Sequence, residues 1–320
     1  MRLLVVGGIG VDVNARLYDG TWPLPIGADK VFAQIDDLSV GHAGSGVSLQ
    51  AAALGADVTV AAVIGDDEMG RYLAREFDKR GVALRIERDS SGTPRSVNLV
   101  QPNGKRLSLY DPRYTYESKP NPELWAAPLR NTSADKIDWL HAVVVNWARD
   151  ALAPARGQGI TVSTDLQDWD LANPHHFDFA LGADYVFCSA TNLPASQALP
   201  DLVFNDGVAQ VVVITNGADG ALIWTRELAA EQRNPIHIPA VAPPVDREII
   251  DTTGAGDAFC GTFMTEIMKL PSPAERTNLV NLKTAGDKAA LAAAYACSYF
   301  GTNNNLLTAE LLDDLIPDGI

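Results

Sequence analysis

The sequence predicts an α/β fold in which a doubly wound, mainly parallel sheet is flanked by helices and carries a small antiparallel β-lid. The first observation is a series of short apolar runs without polar alternation, which a sheet buried on both faces requires. The second is that helix-like segments stand between these runs, as they do in α/β proteins. The apolar runs cover residues 2–9, 57–65, 141–146, 160–165, 184–189 and 209–215.

Helical segments alternate with the apolar runs through the first two thirds of the chain. After Asp251 the pattern changes to helix alone, with Ala-rich helices predicted over 257–269 and 285–298. Small side chains allow helix axes to approach closely, so this composition indicates tight helix packing. The earlier helices are predicted over residues 46–54, 66–80, 150–156, 173–181 and 194–206.

Two segments interrupt the alternation and predict the lid. Residues 14–40 contain alternating apolar positions, and residues 93–110 contain two alternating stretches joined by Pro102-Asn103-Gly104-Lys105, a hairpin signature. Two edge hairpins packed flat on the main sheet are the alternative arrangement. We predict an α/β core of residues 1–13, 38–92 and 114–320, with the lid formed by residues 14–37 and 93–113.

The charge of the chain limits its partners. Its 320 residues include 25 Lys and Arg against 40 Asp and Glu, a formal net charge of −15. This excess of acid excludes nucleic acid and anionic membrane as partners, because both require basic surface. A small anionic ligand would have to be neutralised locally rather than by the overall field.

Cysteine content and hydropathy indicate the compartment. Cys188, Cys260 and Cys297 have neither disulfide-framework nor zinc-ligand spacing, and so read as thiols of a reducing environment. No apolar run approaches the roughly 18 residues of a membrane span. We therefore expect a cytoplasmic protein.

The strongest local signal is the segment DTTGAGDAF, which runs from Asp251 to Phe259 and opens a helix. Small residues at 254–256 let backbone amides approach a ligand, and the helix N-terminus adds unpaired N–H groups and partial positive charge. Such a site binds an anion without a lysine. Asp257 is then placed as a general base toward a hydroxyl that attacks the anion. A glycine-rich turn with Asp257 as an ordinary first-turn residue is the alternative.

Several motifs together resemble those of the ribokinase-like (PfkB) carbohydrate kinases, in the family's order and over nearly the whole chain. DTTGAGDAF resembles the family's C-terminal signature, residues 41–70 resemble its N-terminal signature, and TNGADG from Thr215 resembles its nucleotide turn. Members have an α/β core and a β-lid that closes over the acceptor and often pairs in dimers. They transfer the ATP γ-phosphoryl group to a hydroxymethyl group.

The resemblance implies roles for individual residues. Asp257 matches the catalytic base, and Gly254, Ala255 and Gly256 match the anion hole beside it. The acceptor-binding positions of the family correspond to Asp12, Gly41, His42 and Gly46. Arg106, in the hairpin of residues 93–110, is a further candidate for acceptor binding because of its positive charge. The nucleotide-binding positions are Asn192, Thr215, Gly217 and Gly220. A loop that would hold K⁺ comprises Asp251, Thr253, Gly301 and Asn305.

Three positions depart from the family pattern. His42 stands where members usually have Gly, and Gly46 stands where they have Asn, so we expect an altered acceptor pocket with a titratable group in it. The NxxE element that supports magnesium has its Asn192 but has Ala195 in place of Glu. Mg²⁺ would then rely on other acids or on water. Asp165 is an acid of interest, because it ends a predicted strand where open α/β sheets bind ligands.

The sequence therefore predicts an ATP- and Mg²⁺-dependent kinase of a small sugar or polyol, which forms a homodimer through its lid. A nucleoside kinase of the same fold is the first alternative, with Trp22, Phe32 and Tyr110 as candidate walls for a flat base. A catalytically weak sugar-binding protein is the second, because the Glu of NxxE is missing.

Overall fold

The computed structural model describes residues 1–18, 30–113, 117–130, 135–244, 247–301 and 303–316. Within these residues the strands are β1 (Arg2–Val6), β2 (Gly10–Leu17), β3 (Ala33–Ile35), β4 (Ser39–Gly41), β5 (Asp57–Gly65), β6 (Ala83–Asp89), β7 (Arg95–Val100), β8 (Arg106–Asp111), β9 (Trp139–Val143), β10 (Thr161–Asp165), β11 (Tyr185–Ser189), β12 (Val211–Thr215), β13 (Ala221–Thr225) and β14 (Ile236–Ile238). The helices are α1 (Ala43–Ala53), α2 (Glu68–Lys79), α3 (Glu123–Leu129), α4 (Leu152–Gly157), α5 (Phe177–Gly182), α6 (Ala198–Asp206), α7 (Arg226–Ala230), α8 (Ala255–Met268), α9 (Pro273–Arg276), α10 (Leu279–Cys297) and α11 (Ala309–Leu315).

The large sheet has the strand order β14-β13-β12-β11-β10-β9-β1-β5-β6. Its strands from β12 to β6 run parallel, whereas β13 and β14 join its other edge antiparallel. The predicted doubly wound, mainly parallel sheet is confirmed. Strands β6, β13 and β14 lie beyond the predicted set. β6 contains four charged residues and no buried residue, which is typical of an edge strand rather than of a strand buried on both faces.

Helices cover both faces of the large sheet because its strands are apolar on both sides. α1, α2, α8 and α10 pack on one face, and α3, α4, α5 and α6 pack on the other. Phe263 on the first face and Phe179 on the second are fully buried. Burying a side chain of this size stabilises the fold by about 1.5–3 kcal/mol. The packed layers fix the carboxyl ends of the parallel strands along one edge.

A second sheet stands apart from the first and forms the lid. Its strand order is β3-β2-β7-β8, and β4 also pairs with β2. β2 and β7 are parallel, and the other pairings are antiparallel, so the sheet is mainly antiparallel. The predicted 93–110 hairpin is confirmed as β7 and β8. The alternative of two hairpins packed flat on the main sheet is wrong.

The tip of the lid hairpin reaches the segment that precedes α8. The Thr252 hydroxyl donates to the Gly104 carbonyl at 3.1 Å. Strand β2 begins at Gly10 and so crosses the predicted boundary after residue 13, and the division into core and lid ranges stays a prediction. Trp22, proposed above as a pocket wall, lies outside the described residues. No helix in the described ranges has both the length and the apolar character to cross a membrane.

Candidate active site

A cleft of about 830 Å³ lies between the carboxyl ends of the parallel strands and the inner face of the lid. Asp165, Ser189 and Thr215 line it where β10, β11 and β12 end. The lid contributes polar side chains from β2, β7 and β8, and the start of α8 closes a third side. The two sheets therefore bring together residues that are up to about 250 positions apart in the sequence.

Asp257 lies in the first turn of α8, whose N-cap is Gly254. Gly254 has φ 81°, a left-handed conformation that favours glycine, and this turn directs the chain into the helix. Gly254, Gly256 and Asp257 all line the cleft, and Ala255 is the first residue of the helix. The free N–H groups of the first turn and the helix dipole make this end of α8 attractive to an anion.

The carboxyl group of Asp257 has an unusual acidity. Burial, together with the negative charges of Asp165 and Asp12, raises its pKa to about 8, although the Arg106 guanidinium opposes the shift. A carboxylate is a stronger base when its pKa is high, and a pKa near the operating pH suits general base catalysis. The surroundings of Asp257 are therefore those of a proton acceptor rather than of an ordinary surface acid.

Two glycines make room for the carboxylates of the cleft. A Cβ atom added to Gly41 would lie 2.1 Å from the Asp12 Cγ, and one added to Gly46 would lie 2.5 Å from the Asp257 Cβ. Asp12 itself is 3% exposed on β2. The structure thus brings Asp12, Gly41 and Gly46 to the same site as Asp257, and it gives the two glycines a spacing role.

His42 lies at the N-cap of α1 and lines the cleft beside Asp12. Its Nε2 is 3.2 Å from the Ser96 Oγ and 3.8 Å from an Asp12 carboxylate oxygen. The imidazole meets the Tyr110 ring edge to face, with 5.0 Å between ring centroids. Burial lowers the pKa of His42, and the nearby Asp12 charge only partly offsets this, so the ring is neutral at pH 7.

The inner face of the lid carries a polar ladder that the sequence reading did not identify. Ser96 pairs with Tyr110 and Asn98 with Ser108 across β7 and β8, and all four side chains line the cleft. Ser108 donates to Asn98 at 2.6 Å, and Asn98 donates to Asn14 at 2.9 Å. The alternation of polar and apolar residues in β7 and β8 was the signal that could have identified this face.

Arg106 is the lid arginine that lines the cleft. Arg95 and Arg113 each form an ion pair with Asp111 at 3.1 Å. Arg106 therefore provides positive charge within the cleft, on the side of the lid that faces Asp257.

Among the nucleotide candidates, Thr215 lines the cleft, whereas Asn192, Gly217 and Gly220 are not among its lining residues. Thr215 ends β12 and is followed by a tight 3₁₀ turn over Gly217–Asp219. Gly220 has φ 86°, and a Cβ atom added there would lie 2.0 Å from the Ile238 carbonyl oxygen, so β14 requires a glycine at this position. Asn192 donates to the carbonyl oxygen of Asp168 at 2.8 Å and to its carboxylate at 3.1 Å.

Asp165 and Asp168 both line the cleft, at and just after the end of β10. Burial raises the pKa of Asp165, and the Asp168 charge adds to the shift. Mg²⁺ is commonly held by one or two carboxylates together with water and substrate phosphates, and this donor set fits that requirement. Among the residues that the structure describes, no group of three or more His, Cys, Asp or Glu side chains could hold a metal without such help.

The residues predicted for the K⁺ loop come together next to the start of α8. One Asp251 carboxylate oxygen accepts from the Thr253 N–H and hydroxyl at 2.9 and 2.6 Å, and the other accepts from the Gly301 N–H at 3.2 Å. Thr253, Gly301 and Asn305 line a cavity of about 10 Å³ there. That volume is close to the space of a single water molecule, which suits one small ion.

Known proteins resemble the chain in sequence and in structure. The sequence profile described as "pfkB family carbohydrate kinase" matches residues 3–137 and 172–309. Acarbose 7(IV)-phosphotransferase of Actinoplanes sp. is 33% identical over 296 residues, which cover 92% of either protein.

Solved structures extend this likeness. A microbiome-derived acarbose kinase is 37% identical and superposes with a TM-score of 0.84 over 98% of both chains. The ribokinase of Giardia lamblia superposes with a TM-score of 0.81 over 98% of this chain and 99% of its own, at 15% identity, and so shows the shared fold alone. The predicted ribokinase-like fold is confirmed, and the chain belongs to the PfkB family of carbohydrate kinases.

Proposed function

We propose that the chain transfers the γ-phosphoryl group of ATP to a hydroxymethyl group of a carbohydrate, with acarbose or a related glycoside as its acceptor. The observation that carries this proposal is the position of Asp257, which shares one cleft with the start of α8, with Asp12 and with Thr215. One cleft thus contains the groups that the reaction needs. They are the base Asp257, the amides at the start of α8 for the anion, Asp12 for the acceptor and Thr215 for the nucleotide.

The chemistry assigned to Asp257 follows from its environment. Its carboxylate would accept the proton of the acceptor hydroxyl while that oxygen bonds to the γ-phosphorus and the bond to the β-phosphate oxygen breaks. ADP then leaves. The amides of Gly254, Ala255 and Gly256 and the dipole of α8 would stabilise the charge of the transferring group. Because a pKa of about 8 lies close to neutral pH, Asp257 can accept the proton during transfer and return it to solvent after each turnover.

The positive charge beside the ATP phosphates would come from groups within the cleft, because the net charge of the chain is −15. Arg106 lines the cleft from the lid and would meet the transferring phosphoryl group. Asp165 and Asp168 would hold Mg²⁺, which when bound with ATP neutralises phosphate oxygens. Asp251, Thr253, Gly301 and Asn305 would hold K⁺ beside the anion site. Asn192, Thr215, Gly217 and Gly220 would contact the nucleotide.

The named relatives and the side chains that line the cleft both indicate which class of acceptor the chain binds. The acarbose phosphotransferase of Actinoplanes and the microbiome-derived acarbose kinase, both above 30% identity to this chain, are named for acarbose. Of the aromatic side chains considered for a flat base, Tyr110 lines the cleft and Phe32 is 70% exposed. The hydrogen-bonding side chains of the lid suit an acceptor with many hydroxyl groups. These observations favour a glycoside over a nucleoside.

The test is ADP release by the purified chain with Mg-ATP and K⁺, measured with acarbose, simple sugars, polyols and inosine. We expect turnover with acarbose or another glycoside. Asp257→Asn should reduce kcat at least 10³-fold and leave ATP binding within twofold. If no acceptor is turned over while acarbose still raises the melting temperature, the binding-protein alternative holds. A preference for inosine would establish the nucleoside kinase alternative.

A further inference from the structure

His42 has a backbone conformation that side chains rarely adopt. Its φ of 71° and ψ of 154° fall in a region populated almost only by glycine. A β-carbon in this region is strained, and such strain persists only where the surrounding structure imposes it. Residues held in this way are concentrated at functional sites, and His42 lies in the wall of the cleft.

The surrounding structure holds the imidazole from several sides. Ser96 bonds its Nε2 at 3.2 Å, and Tyr110 meets its ring at 5.0 Å. Gly10 provides the space behind the ring, because a Cβ atom added to Gly10 would lie 2.4 Å from the His42 Cε1 and 2.6 Å from its Nδ1. The side chain of His42 is 8% exposed. The ring is therefore fixed in place by residues of both β2 and β7.

The fixed ring has a defined relation to the acceptor carboxylate. The His42 Nε2 lies 3.8 Å from an Asp12 carboxylate oxygen, too far for a hydrogen bond between them. The planes of the His42 and Tyr110 rings meet at 63°, so together they form a corner. The Ser96 hydroxyl and the Asp12 carboxylate both lie within 4 Å of the His42 Nε2. The corner thus combines aromatic surface with hydrogen-bonding groups.

We propose that His42 selects the acceptor, by forming with Tyr110 and Ser96 a wall that receives a hydroxyl-bearing sugar ring and rejects the base of a nucleoside. The C–H face of a sugar ring packs on the aromatic corner while its hydroxyl groups pair with Asp12 and the Ser96–His42 edge. A nucleoside carries hydroxyl groups on its ribose alone, so its flat base, placed against this wall, would leave the Ser96–His42 edge without a partner. An unmet polar group is the strongest basis of discrimination in a polar site. This inference rests on the proposed kinase function.

The test compares His42→Gly with the unaltered chain, using acarbose and inosine as acceptors. We expect the ratio of kcat/KM for acarbose to kcat/KM for inosine to fall at least tenfold, mainly through the KM for acarbose. The KM for ATP should stay within twofold. Because glycine relieves the strained backbone, the melting temperature should not decrease. A fall in melting temperature with an equal loss for every acceptor would show a structural role and overturn the inference.

Two further variants separate the ring from the strain. Gly10→Ala keeps His42 but places a Cβ atom 2.4 Å from its ring and 2.6 Å from the Pro94 carbonyl oxygen. It should lower the same acceptor ratio at least threefold, and its melting temperature separates displacement of the ring from a shift of the lid. Gln232→Gly is the matched control, because Gln232 also has a positive φ, of 53°, but is exposed and does not line the cleft. It should leave the acceptor ratio unchanged. An unchanged ratio in both His42→Gly and Gly10→Ala would overturn the inference.

Binding measurements keep this inference distinct from the proposed function. Isothermal titration of acarbose and of inosine gives affinities without turnover. If the unaltered chain binds acarbose but never releases ADP, the kinase proposal fails. A tenfold weaker affinity of His42→Gly for acarbose would still support the selecting role. If acarbose is phosphorylated equally well by both proteins, the kinase proposal stands and the inference fails. If no glycoside binds, both are overturned.

Discussion

Gly46 of α1 lies against the side chain of Asp257, so closely that a Cβ atom on Gly46 would stand 2.5 Å from the Asp257 Cβ. Real side chains do not approach to this distance, and the obstructing atoms are the Cβ and Cγ of Asp257 as well as its Oδ2, so rotation of the carboxylate alone would not relieve the contact. α1 and α8 are therefore packed in direct contact at the proposed base. The absence of a side chain at residue 46 is part of what positions that base.

We expect Gly46→Ala to reduce kcat about 10–100-fold, since displacement of a catalytic group by about 1 Å can cost a factor of 10². The KM for ATP should change less than threefold, because the atoms nearest to a Cβ on Gly46 belong to Asp257 and not to a nucleotide candidate. Steady-state ADP release measures both quantities. Gly157→Ala is the control, since a Cβ atom there meets nothing within 4 Å. Full activity of Gly46→Ala would disprove the spacing role.

The acidity of Asp257 predicts the pH dependence of the reaction. Its pKa of about 8 means that the fraction of carboxylate increases with pH up to that value. The kcat/KM of the acceptor reports the free enzyme, so it should rise about tenfold per pH unit from pH 6 and level off above about pH 8. A profile that is flat from pH 6 to 9 would contradict the assignment of Asp257 as the base.

Two neighbours of Asp257 should shift this profile in opposite directions. The Arg106 cation lowers the pKa of Asp257 and the Asp165 charge raises it. Arg106→Gln should therefore move the midpoint of the profile to higher pH, and Asp165→Asn should move it to lower pH. The midpoints can be measured even where the rates fall. Shifts in the same direction would show that these charges do not act on the base.

Local sequence signals predicted the strands and the start of α8, because each depends on residues within one short segment. The apolar runs of β1, β5, β9, β10, β11 and β12 and the glycines before Asp257 are such signals. The wall around His42 could not be predicted in this way. His42 and Ser96 are 54 residues apart, and their contact depends on β7 pairing with β2 rather than on any spacing in the chain. The contact between Asn192 and Asp168 is likewise not visible in the sequence, because it depends on the pairing of β10 with β11.

The face of the lid that points away from the cleft carries exposed apolar side chains. We propose that two chains form a homodimer by pairing these faces. Leu109 is 53% exposed, Leu107 is 41% exposed and Val97 is 40% exposed, all on the face opposite the cleft. Exposed apolar residues that are contiguous on one sheet indicate an interaction surface. Leu109→Asp should convert the dimer to a monomer, as measured by size-exclusion chromatography with light scattering. Val280→Asp is the control, because Val280 is 72% exposed but lies on α10. A monomeric unaltered chain would refute the proposal.

The absence of Glu from the NxxE element predicts that Asp168 carries part of the magnesium site. Asn192 of that element donates to both the carbonyl oxygen and the carboxylate of Asp168, and Asp168 lines the cleft. An acid from the loop after β10 is thus held where Asn192 can orient it. Asp168→Asn retains the size of the side chain and the carbonyl contact but removes the charge that a hard cation requires.

We expect Asp168→Asn to raise the Mg²⁺ concentration for half-maximal ADP release at least tenfold. The binding of Mn²⁺ to the ATP-loaded chain, followed by electron paramagnetic resonance, should weaken by a similar factor, and this readout does not depend on turnover. Asp170→Asn is the matched control, because Asp170 lies in the same loop but caps the Ala172 and Asn173 N–H groups, which an asparagine can still do. Equal Mn²⁺ affinity in Asp168→Asn and the unaltered chain would remove Asp168 from the metal site and leave Asp165 as the acid to test.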